Sequence, residues 1–148
     1  MTTIHNIPFA DIETGMQRQY SKTLTERDLL LFSETSGDYN PVHLDAQYAA
    51  TTAFGERIAH GMWSGALISA AIATTLPGPG SVYRSQTLKF SRPVKLGDTI
   101  TITLTVSDKK DRVKLVTLEC EGRNQHGDVV VKGEAEVIAS AESLSFEI

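Results

Sequence analysis

Hydrophobic and polar residues alternate strictly in the second half of the chain. Isoleucine, leucine and valine occupy every second position of Thr99–Ser107, with threonine or serine between them. This alternation is typical of a half-buried strand with one polar face. Three further segments have strand character: Val82–Pro93, Val113–Arg123 and Asp128–Ala139. The connecting sequences have hairpin chemistry: Leu96–Asp98, Asp108–Asp111 and Asn124–Gly127. We therefore predict a run of antiparallel strands.

Helical spacing begins after a short first strand. Residues 1–15 are interpreted as a leading segment, and Gln17–Leu24 is predicted to be a strand. Thr25 occupies a helix N-cap position, with Asp28 three residues later and an apolar run behind it. Gly37 is suited to end this helix, because glycine readily adopts the left-handed conformation.

A proline-containing segment follows this helix. Pro41 lacks an N–H group and disfavours helical geometry in the residue before it. Residues 38–43 are therefore predicted to be a loop. Asp45 is suited to cap another short helix that ends near Thr51.

The segment Gly61–Thr75 carries no charge on any face. A helix that is apolar or small all round is expected to be buried on all sides, and Pro77–Gly80 ends it. One such helix and one long curved antiparallel sheet combine most simply when the sheet wraps around the helix, an α+β architecture. Residues 1–148 are predicted to form a single domain. The edges of such a sheet favour pairing with a second copy.

Composition narrows the classes of function. Apolar residues make up 41% of the chain and charged residues 22%, which suits a folded domain with a core. The net charge of −4 makes a broad nucleic-acid surface improbable. A single cysteine, Cys120, excludes an internal disulfide and fits a reducing compartment. No signal peptide or apolar run of about 20 residues is present. We predict a cytoplasmic protein without membrane contact.

The charge is distributed unevenly. Residues 57–97 contain no Asp or Glu and carry five basic residues: Arg57, Arg84, Lys89, Arg92 and Lys95. This segment carries +5, so the rest of the chain carries −9, since the total is −4. Such a local excess can steer and hold an anionic ligand.

The densest polar cluster contains a carboxylate and an imidazole. Asp38 and His43 lie five residues apart around a proline, so both side chains can point at one water, as general acid–base catalysis requires. Asn40 is suited either to hold the imidazole or to fix the loop. The same residues also have good turn chemistry, which is the alternative interpretation.

A second candidate lies where the uncharged helix begins. The first backbone N–H groups of a helix are unpaired and carry partial positive charge. Gly61 has no Cβ, so a carbonyl oxygen can approach these donors closely. The alternative is that Gly61 only permits tight packing. His60 either serves this site or forms a structural hydrogen bond. Ser69 lies slightly over two turns further on, near the same helix face.

Signals for other chemistry are weak. Asp38, His43 and Asp45 have no diagnostic metal-ligand spacing. The chain has no glycine-rich phosphate loop and no nucleophile motif. We predict neither a metal nor an organic cofactor.

These motifs together resemble the MaoC-like (R)-specific enoyl-CoA hydratases, which have the hot-dog fold. The similarity is strongest in Ser36–His43 (SGDYNPVH) and Ile58–Met62 (IAHGM). It continues through Leu76–Tyr83 and Gln86–Phe90. It implies that water is added syn across a trans-2-enoyl-CoA to give an (R)-3-hydroxyacyl-CoA.

The resemblance also implies roles for individual residues. Asp38 is the main base and His43 its partner on one water, while the Gly61 amide stabilises the enolate oxygen. Ser69 supplies a site hydroxyl, and Asn40 supports the histidine. The site is implied to lie at an interface of a homodimer or a dimer of dimers, with the CoA arm between subunits. CoA is part of the substrate, so no separate cofactor is implied.

Further substrate contacts follow from positions near these motifs. His60, Met62 and Trp63 flank Gly61, and the bulk of Trp63 predicts a preference for short acyl chains. The basic residues beyond the helix are predicted to contact the CoA phosphates: Arg84, Lys89, Arg92 and Lys95.

Two other functions remain as alternatives. A hot-dog acyl-CoA thioesterase usually places a carboxylate on or near the central helix, and Met62–Thr75 contains none. A non-catalytic acyl-thioester-binding module would not need Asp38 and His43, which are both present. The same residues would also catalyse the reverse dehydration.

Overall fold

The computed structural model describes all 148 residues and shows an α+β domain. Four helices are present: α1 Glu26–Ser36, α2 Pro41–Leu44, α3 Ala46–Thr51 and α4 Gly61–Thr74. Single 3-10 turns span Phe9–Asp11 and Asp111–Val113. The strands are β1 Thr3–His5, β2 Gln17–Thr23, β3 Val82–Gln86, β4 Lys89–Phe90, β5 Thr99–Lys110, β6 Leu115–Arg123, β7 Val129–Ile138 and β8 Ser145–Glu147. No helix is both long enough and apolar enough to cross a bilayer.

The main sheet is antiparallel, with strand order β2-β5-β6-β7-β3, and β4 also pairs with β7. Helix α4 packs against the inner face of this sheet and contacts four of its strands: β2, β5, β6 and β7. This is the hot-dog arrangement of a sheet wrapped around a central helix, as predicted. It places the beginning of α4 next to α2 and the loops around it.

The alternation in β5 separates core from surface as expected. Its hydrophobic residues are at most 1% exposed and form much of the core: Ile100, Ile102, Leu104 and Val106. Its threonines lie on the outer face, where Thr99 pairs with Thr23 at 2.6 Å and Thr101 with Ser21 at 2.8 Å between hydroxyl oxygens. Core burial and hydroxyl pairing therefore specify the same register between β2 and β5.

The predicted helix boundaries in the first half are confirmed. The Thr25 hydroxyl accepts a hydrogen bond from the Asp28 N–H group, and the Asp28 carboxylate accepts one from the Thr25 N–H group. Gly37 ends α1 with a φ of 78°. The prediction that residues 38–43 form only a loop is wrong, because Pro41 begins α2. Proline is favourable at the first helical position, where its missing N–H group would have no helical partner.

Two predictions for the strands after α4 are also wrong. Val82–Pro93 is not one strand, because the chain breaks between β3 and β4 as Thr87 crosses over Gly133. Leu96–Asp98 does not form a hairpin, because β4 pairs with β7 whereas β5 pairs with β2 and β6. Local turn chemistry does not specify which strand becomes the neighbour in the sheet.

Helix α4 is not buried on all sides, which corrects a further prediction. Trp63, Leu67 and Ile68 pack into the core, but Met62 is 56% exposed and Ala66 is also exposed. A single sheet covers only one side of a helix, so the opposite side remains open in the isolated chain.

The leading segment is tied to the end of the chain. β1 pairs with β8 in a separate two-stranded sheet, a pairing that the sequence pattern did not predict. Asn6 is buried, and its side-chain amide donates to the Glu142 carbonyl and accepts from the Leu144 N–H group, both at 2.7 Å. These two bonds join segments more than 130 residues apart in sequence.

The close crossing at Gly133 gives a stability prediction. A Cβ at this position would overlap the Thr87 carbonyl oxygen, which belongs to backbone held by hydrogen bonds to Glu134. Gly133→Ala is expected to lower the free energy of unfolding by about 3 kcal/mol in urea titrations. Lys132→Ala, at the exposed neighbour, should change it by less than about 0.5 kcal/mol. Equal stability of both variants would contradict the crossing.

Candidate active site

Hydrogen bonds within the segment after α1 hold the Asp38 carboxylate at the protein surface. Asp38 Oδ1 accepts a hydrogen bond from the Asn40 N–H group at 3.1 Å. Asn40 Oδ1 accepts in turn from the Val42 N–H group at 3.3 Å and so caps α2. Asn40 therefore fixes this segment, and its side chain forms no hydrogen bond with an imidazole. The Asp38 side chain remains 50% exposed.

His43 lies on α2 with a defined protonation pattern. Its Nδ1 is 2.8 Å from the Ile58 carbonyl oxygen. A carbonyl can only accept, so Nδ1 carries the hydrogen and the neutral ring has its lone pair on Nε2. Nε2 faces the carboxylate of Asp38 at 3.8 Å from Oδ2. The structure thus brings the predicted pair together at a distance that leaves both groups available to the same water.

His60 lies behind this pair and precedes α4. Its ring stacks on that of His43, with 3.8 Å between centroids and an angle of 24° between planes. Its Nε2 is 3.0 Å from both the Ser33 hydroxyl and the Asp38 carbonyl oxygen. Burial lowers the pKa of His60, and the neighbouring His43 lowers it further, whereas the Asp38 carbonyl and carboxylate act in the opposite direction.

Helix α4 begins at a cavity that Gly61 lines. The N–H groups of Gly61 and Met62 have no acceptor in the protein, and no side chain caps the helix. A Cβ on Gly61 would lie 3.4 Å from the Phe90 ring, so glycine keeps the passage between them open. The cavity has a volume of about 300 Å³ and is lined in part by Phe54, His60, Gly61, Phe90 and Arg92.

Ser69 and Trp63 lie in different hollows from Gly61. Ser69 and Met62 line a groove of about 470 Å³ between α4 and β3. Trp63 is 4% exposed, packs in the core and lines a third hollow beside Thr35. Trp63 is therefore not part of the lining of the Gly61 cavity, and the predicted preference for short acyl chains stays a prediction.

The five basic residues of the acid-free segment are dispersed. Arg92 lines the Gly61 cavity, and Arg84 lines the groove that contains Ser69. Lys89 lies in a hollow beside Glu119 and Glu121. Two of the five form ion pairs: Arg57 with Glu26 at 2.9 Å and Lys95 with Glu56 at 3.5 Å. The local charge of +5 is therefore not one continuous patch.

Three side chains of the site could in principle bind a metal ion, because their donor atoms lie within 4.8 Å of one another: Asp38, His43 and His60. The two imidazoles are stacked almost face to face, however, so their in-plane lone pairs run alongside each other and do not converge. His60 Nε2 is already hydrogen-bonded. This donor set fits a metal poorly, and the predicted absence of a metal stays a prediction.

Several residues of this site were missed by sequence reasoning. The Ile58 carbonyl orients His43, but a main-chain acceptor leaves no signal in the sequence. Ser33 had a usable signal, because it lies four residues after Leu29 on the buried face of α1, where a polar side chain needs a partner. Phe90 at the Gly61 passage depends on the break between β3 and β4.

An α+β hot-dog domain with an Asp–His pair facing a free helix N-terminus is the class that the structure defines. The MaoC like domain model matches residues 8–139, and the chain belongs to this family. An (R)-specific enoyl-CoA hydratase of Rhodospirillum rubrum is 46% identical over 133 residues, which cover 90% of this chain and 92% of that protein.

Two further relatives agree with this placement. A 3-hydroxybutyryl-CoA dehydratase of Methylorubrum extorquens is 42% identical, over 86% of this chain and 80% of that protein. The unliganded structure of the R-hydratase PhaJ1 from Pseudomonas aeruginosa is 56% identical and superposes with a TM-score of 0.96. That alignment covers 99% of this chain and 94% of the other.

The lowered pKa of His60 gives a prediction for stability against pH. The unfolded chain, with an imidazole pKa near 6.5, binds this proton more readily than the folded protein. The free energy of unfolding should therefore fall as the pH drops below about 6.5. His60→Gln removes this titration, so urea titrations between pH 7 and 5 should show a shallower decline.

The matched control is His126→Gln, because His126 is exposed. This variant should keep the wild-type decline. If His60→Gln showed the same slope as the wild type, burial of a neutral His60 would not be the cause of the acid sensitivity.

Proposed function

We propose that the chain is an (R)-specific enoyl-CoA hydratase, a lyase that adds water to a trans-2-enoyl-CoA. The observation that carries this proposal is the Asp38–His43 pair, 3.8 Å apart, beside the free amides that begin α4. Two relatives that this chain matches over 92% and 80% of their length are named as an (R)-specific enoyl-CoA hydratase and a 3-hydroxybutyryl-CoA dehydratase. A catalyst lowers the same energy barrier in both directions, so the same site would also catalyse the loss of water.

The chemistry follows from the protonation pattern of the pair. A water held between Asp38 and His43 Nε2 loses a proton to Asp38, the main base, as its oxygen attacks Cβ of the enoyl thioester. Electron density moves to the thioester oxygen, where the Gly61 N–H group donates to the developing enolate. The pair then returns a proton to Cα from the same face, which gives syn addition and an (R)-3-hydroxyacyl-CoA.

No separate cofactor enters this reaction. The thioester carbonyl is conjugated with the double bond, so Cβ is already electrophilic and polarisation by backbone amides is sufficient. CoA is part of the substrate. A positioned acid–base pair typically contributes about 10²–10⁴-fold to the rate, and one oxyanion donor about 10²–10³-fold. Together they would accelerate hydration by about 10⁴–10⁷-fold.

A homodimer or dimer of dimers belongs to the same proposal. Three apolar side chains beside the open side of α4 are at least 39% exposed: Met62, Tyr83 and Phe90. β3 and β4 lie at an edge of the sheet, where their outer backbone groups are free to pair with a second copy. Such an interface would cover the groove that contains Ser69, so the CoA arm would lie between subunits.

A cytoplasmic location is supported by the unpaired, buried Cys120.

The first test replaces the proposed base with a neutral side chain of nearly the same shape. Asp38→Asn should lower the rate of crotonyl-CoA hydration by about 10³-fold or more, because a neutral amide cannot accept the proton from water. His43→Gln should have an effect of similar size. The rate is measured as the loss of absorbance of the enoyl thioester, and chiral chromatography of the product should show the (R) isomer.

The matched control is Asp45→Asn, a change of the same type seven residues away. Asp45 caps α3 through hydrogen bonds to two N–H groups, and asparagine caps equally well, so activity should remain. Full activity of Asp38→Asn would refute the role of the pair. Release of free thiol detected with a thiol-reactive dye would indicate a thioesterase, and an (S) product would contradict the proposed stereochemistry.

Among the basic residues, Arg92 is the best candidate for a contact with the CoA phosphates. It lines the same cavity as Gly61, and it forms no ion pair. Arg92→Gln is expected to raise KM for crotonyl-CoA by about tenfold with little change in kcat, since one charge-assisted phosphate contact is lost. The dependence of KM on salt should weaken in the same variant.

Lys89→Gln is the control, because Lys89 lies in the separate hollow with Glu119 and Glu121. It should leave KM and its salt dependence near wild-type values. If Lys89→Gln raised KM as much as Arg92→Gln, the effect would reflect general surface charge and not a specific contact between Arg92 and the phosphates.

A further inference from the structure

His60 connects the two halves of the site, which belong to separate parts of the chain. Its Nε2 lies 3.0 Å from the Asp38 carbonyl oxygen, in the segment that carries the acid–base pair. Its own backbone precedes Gly61, whose amide is the proposed oxyanion donor. A single imidazole therefore spans from the base to the helix N-terminus.

The His60 ring is almost fully enclosed by protein, although His60 belongs to the lining of the Gly61 cavity. His60 is 2% exposed; its ring stacks on that of His43 with centroids 3.8 Å apart, and the Phe32 ring packs against it at 4.9 Å in a tilted arrangement. Nε2 is engaged by Ser33 and Asp38, and Nδ1 is buried without a partner. Because so little of the ring is exposed, the contacts within the protein dominate its surroundings, and the prediction that His60 contacts substrate stays a prediction.

The hydrogen bonds also define the tautomer. The Asp38 carbonyl can only accept, so Nε2 of His60 must carry the hydrogen and Nδ1 is left with a lone pair. A second proton on Nδ1 would place a cation in a buried position, against the His43 ring and at the positive end of the α4 dipole. The titratable groups that surround His60 are Asp38 and His43. Desolvation and the helix end both favour the neutral ring.

We propose that His60 is a positioning residue of the hydratase, which as an uncharged Nε2–H donor holds the Asp38 peptide and the His43 ring at a fixed distance from the Gly61 amide. This inference rests on the proposed function. The His60 Nε2–H group sets the relation between base and oxyanion donor, and the stacked rings keep His43 Nε2 directed at Asp38. The Ser33 hydroxyl orients the His60 ring from the side of α1.

The test compares two replacements of His60 that differ in the donor. Phenylalanine retains the stacking surface but has no N–H group, whereas glutamine carries an N–H group near the position of Nε2. His60→Phe should lower kcat for crotonyl-CoA about a hundredfold, since an ångström-scale displacement of a reacting group costs that much. KM should change by less than about threefold, because so little of the His60 ring is exposed. His60→Gln should recover at least about tenfold of the lost kcat.

The matched control is Ser33→Ala, which removes one partner of Nε2 and retains the Asp38 carbonyl. It should lower kcat by less than about fivefold. A wild-type kcat in His60→Phe would overturn the inference, and so would equal loss in the Phe and Gln variants. If His60→Phe does not fold, His60→Asn replaces it, because the shorter amide cannot reach the Asp38 carbonyl. Loss of activity in Asp38→Asn with full activity in His60→Phe would reject this inference and retain the proposed function.

Nitrogen-15 NMR of the histidine rings tests the inference without any enzyme assay. In the unliganded wild type, neutral His60 should be the Nε2–H tautomer at pH 8 and pH 7. The backbone amide resonances of Asp38, Asn40 and His43 should shift in His60→Phe and return towards wild-type values in His60→Gln. A charged His60, an Nδ1–H tautomer, or unshifted amides in His60→Phe would each overturn the inference even if the wild type did not hydrate crotonyl-CoA.

Discussion

Packing of α4 against the inner face of the sheet is the constraint on which the rest of this molecule depends. Trp63, Leu67 and Ile68 bury one side of the helix, and the sheet contacts it through four strands. Because the helix is held from the side, its N-terminal amides stay free of protein acceptors. The same packing leaves the opposite side of α4 open, with Met62 and Ala66 exposed. Stability and the opening towards a ligand thus arise from one interface.

Neutral polar groups dominate the interior of the site. His43 has its Nδ1 hydrogen on a main-chain carbonyl, and His60 has its Nε2 hydrogen on another. Burial lowers the pKa of His60, because a charged ring in this position would lose its hydration, and this favours the neutral form of His60. The only charge beside them is the half-exposed Asp38, which solvent can stabilise. This separation of a solvated carboxylate from uncharged donors suits a reaction in which negative charge moves from the base to a thioester oxygen.

Features with short-range causes were predicted best. The buried and polar faces of β5 follow from side-chain alternation, and the start of α1 follows from the Thr25–Asp28 capping box, which involves residues three positions apart. The break between β3 and β4 was not predicted, because it depends on the crossing of Thr87 over Gly133, 46 residues away. The prediction of a hairpin at Leu96–Asp98 was wrong for a similar reason, because turn residues do not specify which strands become neighbours in the sheet.

The sequence by itself determined which chemical groups the site contains. An acid and an imidazole on one proline-containing segment, and a glycine at the start of an uncharged helix, were visible because each depends on neighbouring residues. Only the tertiary structure decided how these groups meet: the stack of His60 on His43, the carbonyl that fixes each tautomer, the burial of Trp63 and the dispersal of the five basic residues. All of these features depend on contacts between segments that are distant in sequence, and these contacts form only when the sheet packs around α4.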